Sequence, residues 1–126
     1  MATTPNFAST PRCSSVAISI ADTSRTAPTN VGTLFTAGAS GSRIDEIDIT
    51  AAGTSTANIV RIFIFDGSTY FLLQEIPITA ITPGAAIASF STAITFNSLV
   101  IPSGYSLRVT TNNAEIYHLS AFGGDF

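Results

Sequence analysis

The chain of 126 residues contains no lysine and no tryptophan, and it has a single histidine, His118, and a single cysteine, Cys13. A single cysteine excludes a disulfide within the chain, and one histidine with one cysteine cannot supply the ligands of a zinc site. Nucleophilic catalysis requires a nucleophile beside a base. Because His118 alternates with Ile116 along a predicted strand, we interpret it as a partly buried structural histidine. We therefore predict no enzymatic activity, no catalytic residue, no metal ion and no cofactor.

Charge is also scarce in this sequence. Charged residues make up only 10% of the chain, against about 25% in ordinary domains. Binding to DNA or RNA depends on clustered cations, and the arginines are scattered, so nucleic acid is not an expected partner. A weakly charged surface rich in Thr, Ser and Ala suits a protein that works inside an assembly. The five cations are Arg12, Arg25, Arg43, Arg61 and Arg108.

Long apolar runs are missing as well. The longest, such as Ile62–Phe65 and Phe71–Leu73, are far too short to cross a bilayer. The segment Met1–Arg12 lacks the apolar stretch of a signal peptide. We accordingly expect a soluble protein that is made in a cytoplasm and has no membrane partner.

What the chain does contain is a repeated alternation of apolar and polar residues, the signature of β-strands. It predicts an all-β fold of about eight strands, an antiparallel two-sheet sandwich or jelly roll, with a closed barrel as the alternative. Residues 16–126 would form a single sandwich domain, and residues 1–15, rich in Thr, Ser and Pro, an extended N-terminal arm. The predicted strands are Val16–Ile20, Val31–Thr36, Arg43–Thr50, Asn58–Phe65, Thr69–Ile76, Ile87–Phe96, Leu99–Ile101, Tyr105–Thr110 and Glu115–Phe122.

Arg61 lies within the most apolar predicted strand, Asn58–Phe65. Apolar residues on both faces of this segment favour a central strand that is covered on both sides. A buried arginine is costly unless it is paired, so Arg61 either meets a carboxylate or carbonyl groups, or extends its stem to solvent at the strand end. The sequence leaves both possibilities open.

Two pairs of turn residues stand between predicted strands. Asp66-Gly67 directly follows the strand Asn58–Phe65 and is a strong hairpin signal. Asn112-Asn113 is a second hairpin candidate.

The acidic cluster Asp45, Glu46 and Asp48 lies where the alternation slips between Ile44 and Ile47. The slip predicts a β-bulge near Asp45 and Glu46. Calcium needs many oxygen ligands around one point, whereas adjacent residues of a strand point to opposite faces. A solvated strand edge, where charge discourages aggregation, is therefore the favoured interpretation.

Four segments that span nearly the whole chain carry a likeness to a known family. They are Thr4–Phe7, Gly41–Ile44, Val60–Ile64 with Asp66-Gly67, and Ile101–Arg108. Together they resemble small virion proteins of tailed bacteriophages, the capsid decoration or cement type with jelly-roll or sandwich folds. The resemblance implies a structural virion protein that stabilises the particle by binding between major capsid subunits, often as a trimer, after assembly in the host cytoplasm.

The two ends of the chain are the expected contact regions. We expect inter-subunit contacts from Phe7, Arg12 and Phe126, because Phe7 and Phe126 are large apolar residues in otherwise polar or glycine-rich segments, Ala2–Arg12 and Gly123–Phe126. The expected partners are the major capsid protein or other virion proteins, together with further copies of this chain.

Three other functions stay open at this point. The chain could be a phage tail, baseplate or fibre component, or a carbohydrate-binding β-sandwich module, or a hydrolase that depends on His118. Sugar binding generally uses exposed aromatic side chains. We expect Tyr70, Tyr105 and Tyr117 to serve in core packing or cross-strand pairing instead.

Overall fold

The alternating segments form eight β-strands in the computed structural model, which describes residues 10–126. No helix in this part of the chain is long and apolar enough to cross a membrane. The strands are β1 (Thr10–Ile18), β2 (Gly32–Thr36), β3 (Ser42–Ala51), β4 (Asn58–Phe65), β5 (Tyr70–Ile78), β6 (Ser91–Ile101), β7 (Ser106–Thr111) and β8 (Tyr117–Asp125).

The strands pair in two antiparallel sheets of four strands each. The first sheet has the order β1-β8-β3-β6, and the second has the order β2-β7-β4-β5. Because β4 pairs with β5, β3 with β6, β2 with β7 and β1 with β8, the chain forms one long hairpin that is rolled into two layers. This is the jelly-roll form of the sandwich, which confirms the predicted fold class, and two separate sheets replace the alternative of a closed barrel.

The side chains that point between the sheets form the core. Ile47, Ile49 and Leu119 from the first sheet join Val60 and Ile62 from the second, and all five are fully buried. Removing one such side chain from water stabilises the fold by about 1.5–3 kcal/mol. The alternate residues of these strands consequently point away from the core and form the two outer faces of the sandwich.

The strand predicted to be central is central. β4 spans the predicted residues Asn58–Phe65 and lies between β7 and β5. The predicted bulge is also present, since the pairing of β3 with both neighbours shifts between Ile44 and Glu46. The predicted segments Ile87–Phe96 and Leu99–Ile101 merge into one strand, β6 (Ser91–Ile101), and residues 87–90 lie outside it.

The hairpin predicted at Asp66-Gly67 joins β4 to β5. The Asp66 carboxylate accepts the backbone N–H groups of Ser68 at 2.9 Å and Thr69 at 2.8 Å. Gly67 has a φ of +105°, a conformation that glycine adopts without the steric cost of a side chain. The carboxylate acceptor and the glycine together account for the tight turn.

The hairpin predicted at Asn112-Asn113 is wrong. β7 belongs to the second sheet and β8 to the first, so residues 112–116 cross between the layers. The dipeptide marks a change of direction, but the sheet that each flanking strand joins is set by pairing with distant segments. Local turn chemistry carries no information about that choice.

The beginning of the chain differs from the predicted boundary at residue 15. Residues 10–15 belong to β1, where Thr10 pairs with Asp125 and Ser15 pairs with Ser120. The rest of the predicted arm, residues 1–9, lies outside the described residues. β1 therefore begins six residues before the predicted strand Val16–Ile20 and ends two residues earlier than it, at Ile18.

The two longest connections, residues 19–31 and 79–90, both lie at one end of the sandwich. Residues 19–31, 52–57, 79–90 and 112–116 connect strands at one end, which we call the long-loop end. Residues 37–41, 66–69 and 102–105 connect strands at the other, the short-turn end. The C-terminal residues and the start of β1 also lie at the short-turn end, because β1 and β8 are antiparallel.

Candidate interaction surfaces

The outer side of the first sheet bears mostly small side chains. Three rows cross all four strands in register, and most of their residues are Ala, Ser, Thr or Cys. Successive strands in such a row are about 4.8 Å apart, so the surface is regular in both directions. The first-sheet face consists of Cys13, Ser15, Ala17, Glu46, Asp48, Thr50, Ser91, Ala93, Thr95, His118, Ser120 and Phe122.

Two carboxylates lie near the centre of the first-sheet face. Glu46 and Asp48 are on β3, which is flanked by β8 and β6, so the predicted location of these acids at a strand edge is wrong. A hydrogen bond with Asp48, and repulsion between the two carboxylates, raise the pKa of Glu46. Asp48 Oδ1 is buried and has no hydrogen-bond partner among residues 10–126. The pair can therefore accept hydrogen bonds from cationic groups of another molecule.

The second sheet has a very different outer side, which begins with Arg61. The Arg61 side chain is only 2% exposed, and its Nε lies 2.8 Å from Glu75 Oε2. Arg61 Nη1 also donates to Asn112 Oδ1 at 3.2 Å and to the Asp22 carbonyl at 3.4 Å. Of the two possibilities that the sequence left open, the paired arginine is confirmed. The pair fastens the loop between β1 and β2 over the second sheet.

Asp22 is the residue that shapes this covering loop. Its carboxylate accepts backbone N–H groups from Ser24, Thr29 and Asn30 at 2.7–3.0 Å. Burial alone would raise the pKa of Asp22, but these hydrogen bonds to the charged form outweigh it, so that the pKa is lowered. The ionised carboxylate consequently holds residues 22–30 of the loop together.

Aromatic rings cover the neighbouring part of the second sheet's outer side. Phe63 is fully buried there, with the Tyr70 ring edge-on at 5.9 Å between centroids. Phe65 stacks on Tyr70 at 4.3 Å, and the Arg108 guanidinium lies 4.6 Å from the Phe65 centroid. Tyr70 thus pairs across strands as predicted. We call this covered surface, from Arg61 to Phe65, the second-sheet face.

A polar network lies below the long-loop end. The Tyr117 hydroxyl donates to Glu115 Oε1 at 2.6 Å, and Asn58 Nδ2 donates to Glu115, Tyr117 and Thr111 at 3.0–3.1 Å. Burial, together with the hydrogen bond to Glu115, raises the pKa of Tyr117 to about 12. These groups satisfy one another inside the protein, so we assign them to stability and not to binding.

No protein-family model matches this chain, and no curated protein matches it. The surfaces are therefore interpreted from their own geometry. Among residues 10–126, no group of three or more His, Cys, Asp or Glu side chains is arranged to hold a metal ion.

Two of the three predicted contact residues lie together at the short-turn end. Arg12 Nη1 donates to Asp125 Oδ1 at 3.0 Å and to the Thr36 carbonyl at 2.7 Å, and its guanidinium lies 4.1 Å from the Phe35 centroid. Phe126 donates its backbone N–H to the Gly41 carbonyl at 3.1 Å. Both residues thus make contacts within the chain, and Phe7 lies outside the described residues.

The prediction that His118 is partly buried is wrong. His118 is exposed on the first-sheet face, between Ala17 on β1 and Thr50 on β3. Residues 117, 119 and 121 point into the core in its place. The sequence shows that residues near His118 alternate, but Ile116 and Tyr117 are adjacent apolar residues that point to opposite faces. The sequence therefore does not show which of the two faces is buried; the packing of the sheets does.

Sequence reasoning also missed the first-sheet face as a surface. Its signal is the small residue at every second position of β1, namely Cys13, Ser15 and Ala17. These residues indicate a continuous surface only once the strand order β1-β8-β3-β6 is known, because that order places other small residues beside them. Pairs such as Ser15 and Ser120, whose hydroxyls are 2.8 Å apart, join segments that lie far apart in the sequence.

Proposed function

We propose that this chain is a structural assembly protein whose first-sheet face binds the surface of another protein. The observation that carries the proposal is a contrast between the two outer sides. On the second sheet, the chain's own loop and aromatic rings cover Arg61 and Phe63. On the first sheet, the outer side bears mostly small side chains.

The charges on the first-sheet face indicate what the partner must supply. Glu46 and Asp48 are its carboxylates, and the positions around them are mostly uncharged. A partner that buries this face has to offer arginine or lysine groups to them, because an unpaired buried carboxylate is costly. Phe122, which is beside Glu46 and 38% exposed, provides an apolar anchor in the same row.

In its finer form, the proposal is a capsid decoration or cement protein of a tailed bacteriophage that binds between major capsid subunits. The support is the likeness in the four sequence segments, together with a fold and a weakly charged surface suited to assembly. Many weak, equivalent contacts on a particle add up to firm attachment. Contacts through Phe7, Arg12 and Phe126 remain predictions of this proposal.

The location of the chain can be measured directly. Particles purified on a density gradient from cultures that produce this chain should contain it in a fixed ratio to the most abundant capsid subunit, as determined by quantitative mass spectrometry. A few copies per particle would overturn the capsid role in favour of a tail or baseplate component. Absence from the particles would overturn the virion proposal altogether.

The binding face can be tested with a matched pair of variants. Glu46→Arg reverses a charge at the centre of the first-sheet face and should weaken binding of the purified chain to undecorated particles by roughly tenfold or more. Asp45→Arg makes the same change at the adjacent exposed residue, which lies in the bulge and pairs with Arg43, and should leave binding nearly unchanged. Equal effects of the two changes would contradict the assignment of the face.

A further inference from the structure

In the part of the chain that the structure describes, the sandwich has four edge strands, β1 and β6 in the first sheet and β2 and β5 in the second. The outer side of an edge strand presents backbone N–H and C=O groups that can pair with another strand. Proteins usually obstruct such edges with charge, proline, a bulge or a very short strand. An edge that lacks these obstructions is a site for adding a strand.

Three of the four edges are obstructed. β5 contains Glu75 and Pro77, and its pairing shifts beside Phe63. β2 has only five residues and a shift in its pairing. β6 is irregular between Thr95 and Leu99, where its pairing with β3 shifts.

β1 is the open edge. It pairs with β8 over nine consecutive residues without a shift, and Pro11 and Arg12 are confined to its beginning. From Cys13 to Ile18 the strand has no charge, no proline and no bulge. Within residues 10–126, no strand pairs with β1 on the side away from β8.

There is also space beside this edge. Four of the six residues from Cys13 to Ile18 are Cys, Ser or Ala, so another backbone can approach closely. A shallow cavity of about 350 Å³ borders Ser15–Ala17 on the outer side, together with His118 and Ser120. A second cavity of about 270 Å³ borders Ala17–Ile20 and residues 29–32. The first cavity lies on the first-sheet face over β1 and β8. The second borders the end of β1 on the side of β2, where the open edge ends.

We propose that β1 pairs antiparallel with β1 of a second copy of this chain, around a two-fold axis close to Ser15, so that two first sheets become one sheet of eight strands. Each copy brings the same regular, uncharged segment, so one contact occupies both open edges and closes the assembly. Directly opposite residues in an antiparallel pair share a face. An axis at Ser15 therefore pairs Cys13 with Ala17 and Ser14 with Val16, which keeps the first-sheet faces of the two copies continuous.

Cysteine cross-linking tests the register. In a Cys13→Ser background, Ser15→Cys puts two thiols directly opposite each other, within the Cα separation of about 7 Å that a disulfide allows. The natural Cys13 would be four residues from its copy, about 13 Å away. We therefore expect rapid oxidation to a covalent dimer for Ser15→Cys and little for the chain with its natural cysteine.

Ser120→Cys in the same background is the matched control. Ser120 is the hydrogen-bond partner of Ser15, so both substitutions remove the same contact. It lies one strand further from the edge, and its copy would be about three strand spacings, or roughly 14 Å, away. Equal cross-linking of Ser15→Cys and Ser120→Cys would overturn the proposed pairing.

The mass of the unmodified chain in solution provides the second test. Light scattering should give a dimer of about 26 kDa, twice the chain mass of 13.1 kDa. Ser15→Lys should raise the dimer dissociation constant roughly tenfold or more, because it brings two like charges together. Ser91→Lys, the same change on edge strand β6, should not. A monomer, a trimer, or equal effects of the two lysines would overturn the proposal, which does not depend on the proposed virion role.

Discussion

The two outer faces of this sandwich differ in what covers them. The second-sheet face buries Arg61 and Phe63 beneath its own loop, ion pair and aromatic rings. The first-sheet face carries the carboxylates of Glu46 and Asp48, and the pKa of Glu46 is raised. Most of its other side chains are small. The comparison teaches that two sheets of four strands each can share one core and still differ outside it: the chain covers Arg61 and Phe63 on one outer face with its own groups, and bears mostly small side chains on the other.

The largest expected effect is a difference in stability between alanine substitutions of two phenylalanines, one on each face. Phe63→Ala should lower the free energy of unfolding by about 4 kcal/mol, because the ring is fully buried. Phe122→Ala should lower it by only about 1 kcal/mol, because Phe122 is 38% exposed, yet it should weaken binding to particles. Urea unfolding followed by circular dichroism measures both values, and similar losses would remove the contrast between the faces.

The next effect compares two arginines that bind the same oxygen. Arg61 and Arg25 both lie 2.8 Å from Glu75 Oε2, but their side chains are 2% and 54% exposed. Arg61→Ala should cost about 3 kcal/mol, because it breaks a buried network. Arg25→Ala should cost less than about 1 kcal/mol. If thermal unfolding shows the two variants to be equally stable, the covering loop does not depend on the buried pair.

The smallest effects are changes in stability with pH. They have opposite signs for a carboxylate near each of the two faces, Asp22 and Glu46. The pKa of Asp22 is lowered in the folded chain, so its contribution is present at neutral pH and is lost as the pH falls through that lowered pKa. Asp22→Asn should therefore cost about 2 kcal/mol at neutral pH and progressively less in acid. Denaturant titrations of both proteins at several pH values measure the difference.

The pKa of Glu46 is raised by its hydrogen bond with Asp48, so the stabilising protonated form is present at low pH and is lost as the pH rises through the raised pKa. Glu46→Gln should consequently be more stable than the natural chain at neutral pH, and this advantage should shrink in acid. The same titrations serve here. A pH dependence of the same sign for Glu46→Gln and Asp22→Asn would contradict the different roles of the two carboxylates.

Structural features that depend on residues close together in the sequence were predictable. The bounds of β4, the bulge near Asp45 and the turn at Asp66-Gly67 all follow from local alternation and turn chemistry. Each depends on side chains only a few residues apart. The fold class could be predicted for the same reason, because many short alternating segments have few ways to bury their apolar sides.

Features that depend on which strands become neighbours were not predictable. The crossing at Asn112-Asn113, the exposure of His118 and the central location of Glu46 are all set by pairings between distant segments. Arg61 is an intermediate case: its burial required a partner, but only the fold shows that Glu75 on β5 supplies it. The first-sheet face belongs wholly to this second group.

The place of β8 has a consequence for how the chain is made. β8 lies between β1 and β3, and it brings Arg12 and Asp125, 113 residues apart, into contact. A ribosome that has released β7 has delivered every strand of the second sheet, whereas β1 still lacks its neighbour. Such long-range pairing is slow and leaves unpaired strands exposed in the meantime. The pairings within the second sheet are thus available once β7 has been made, whereas those that join β1 to β3 wait for β8.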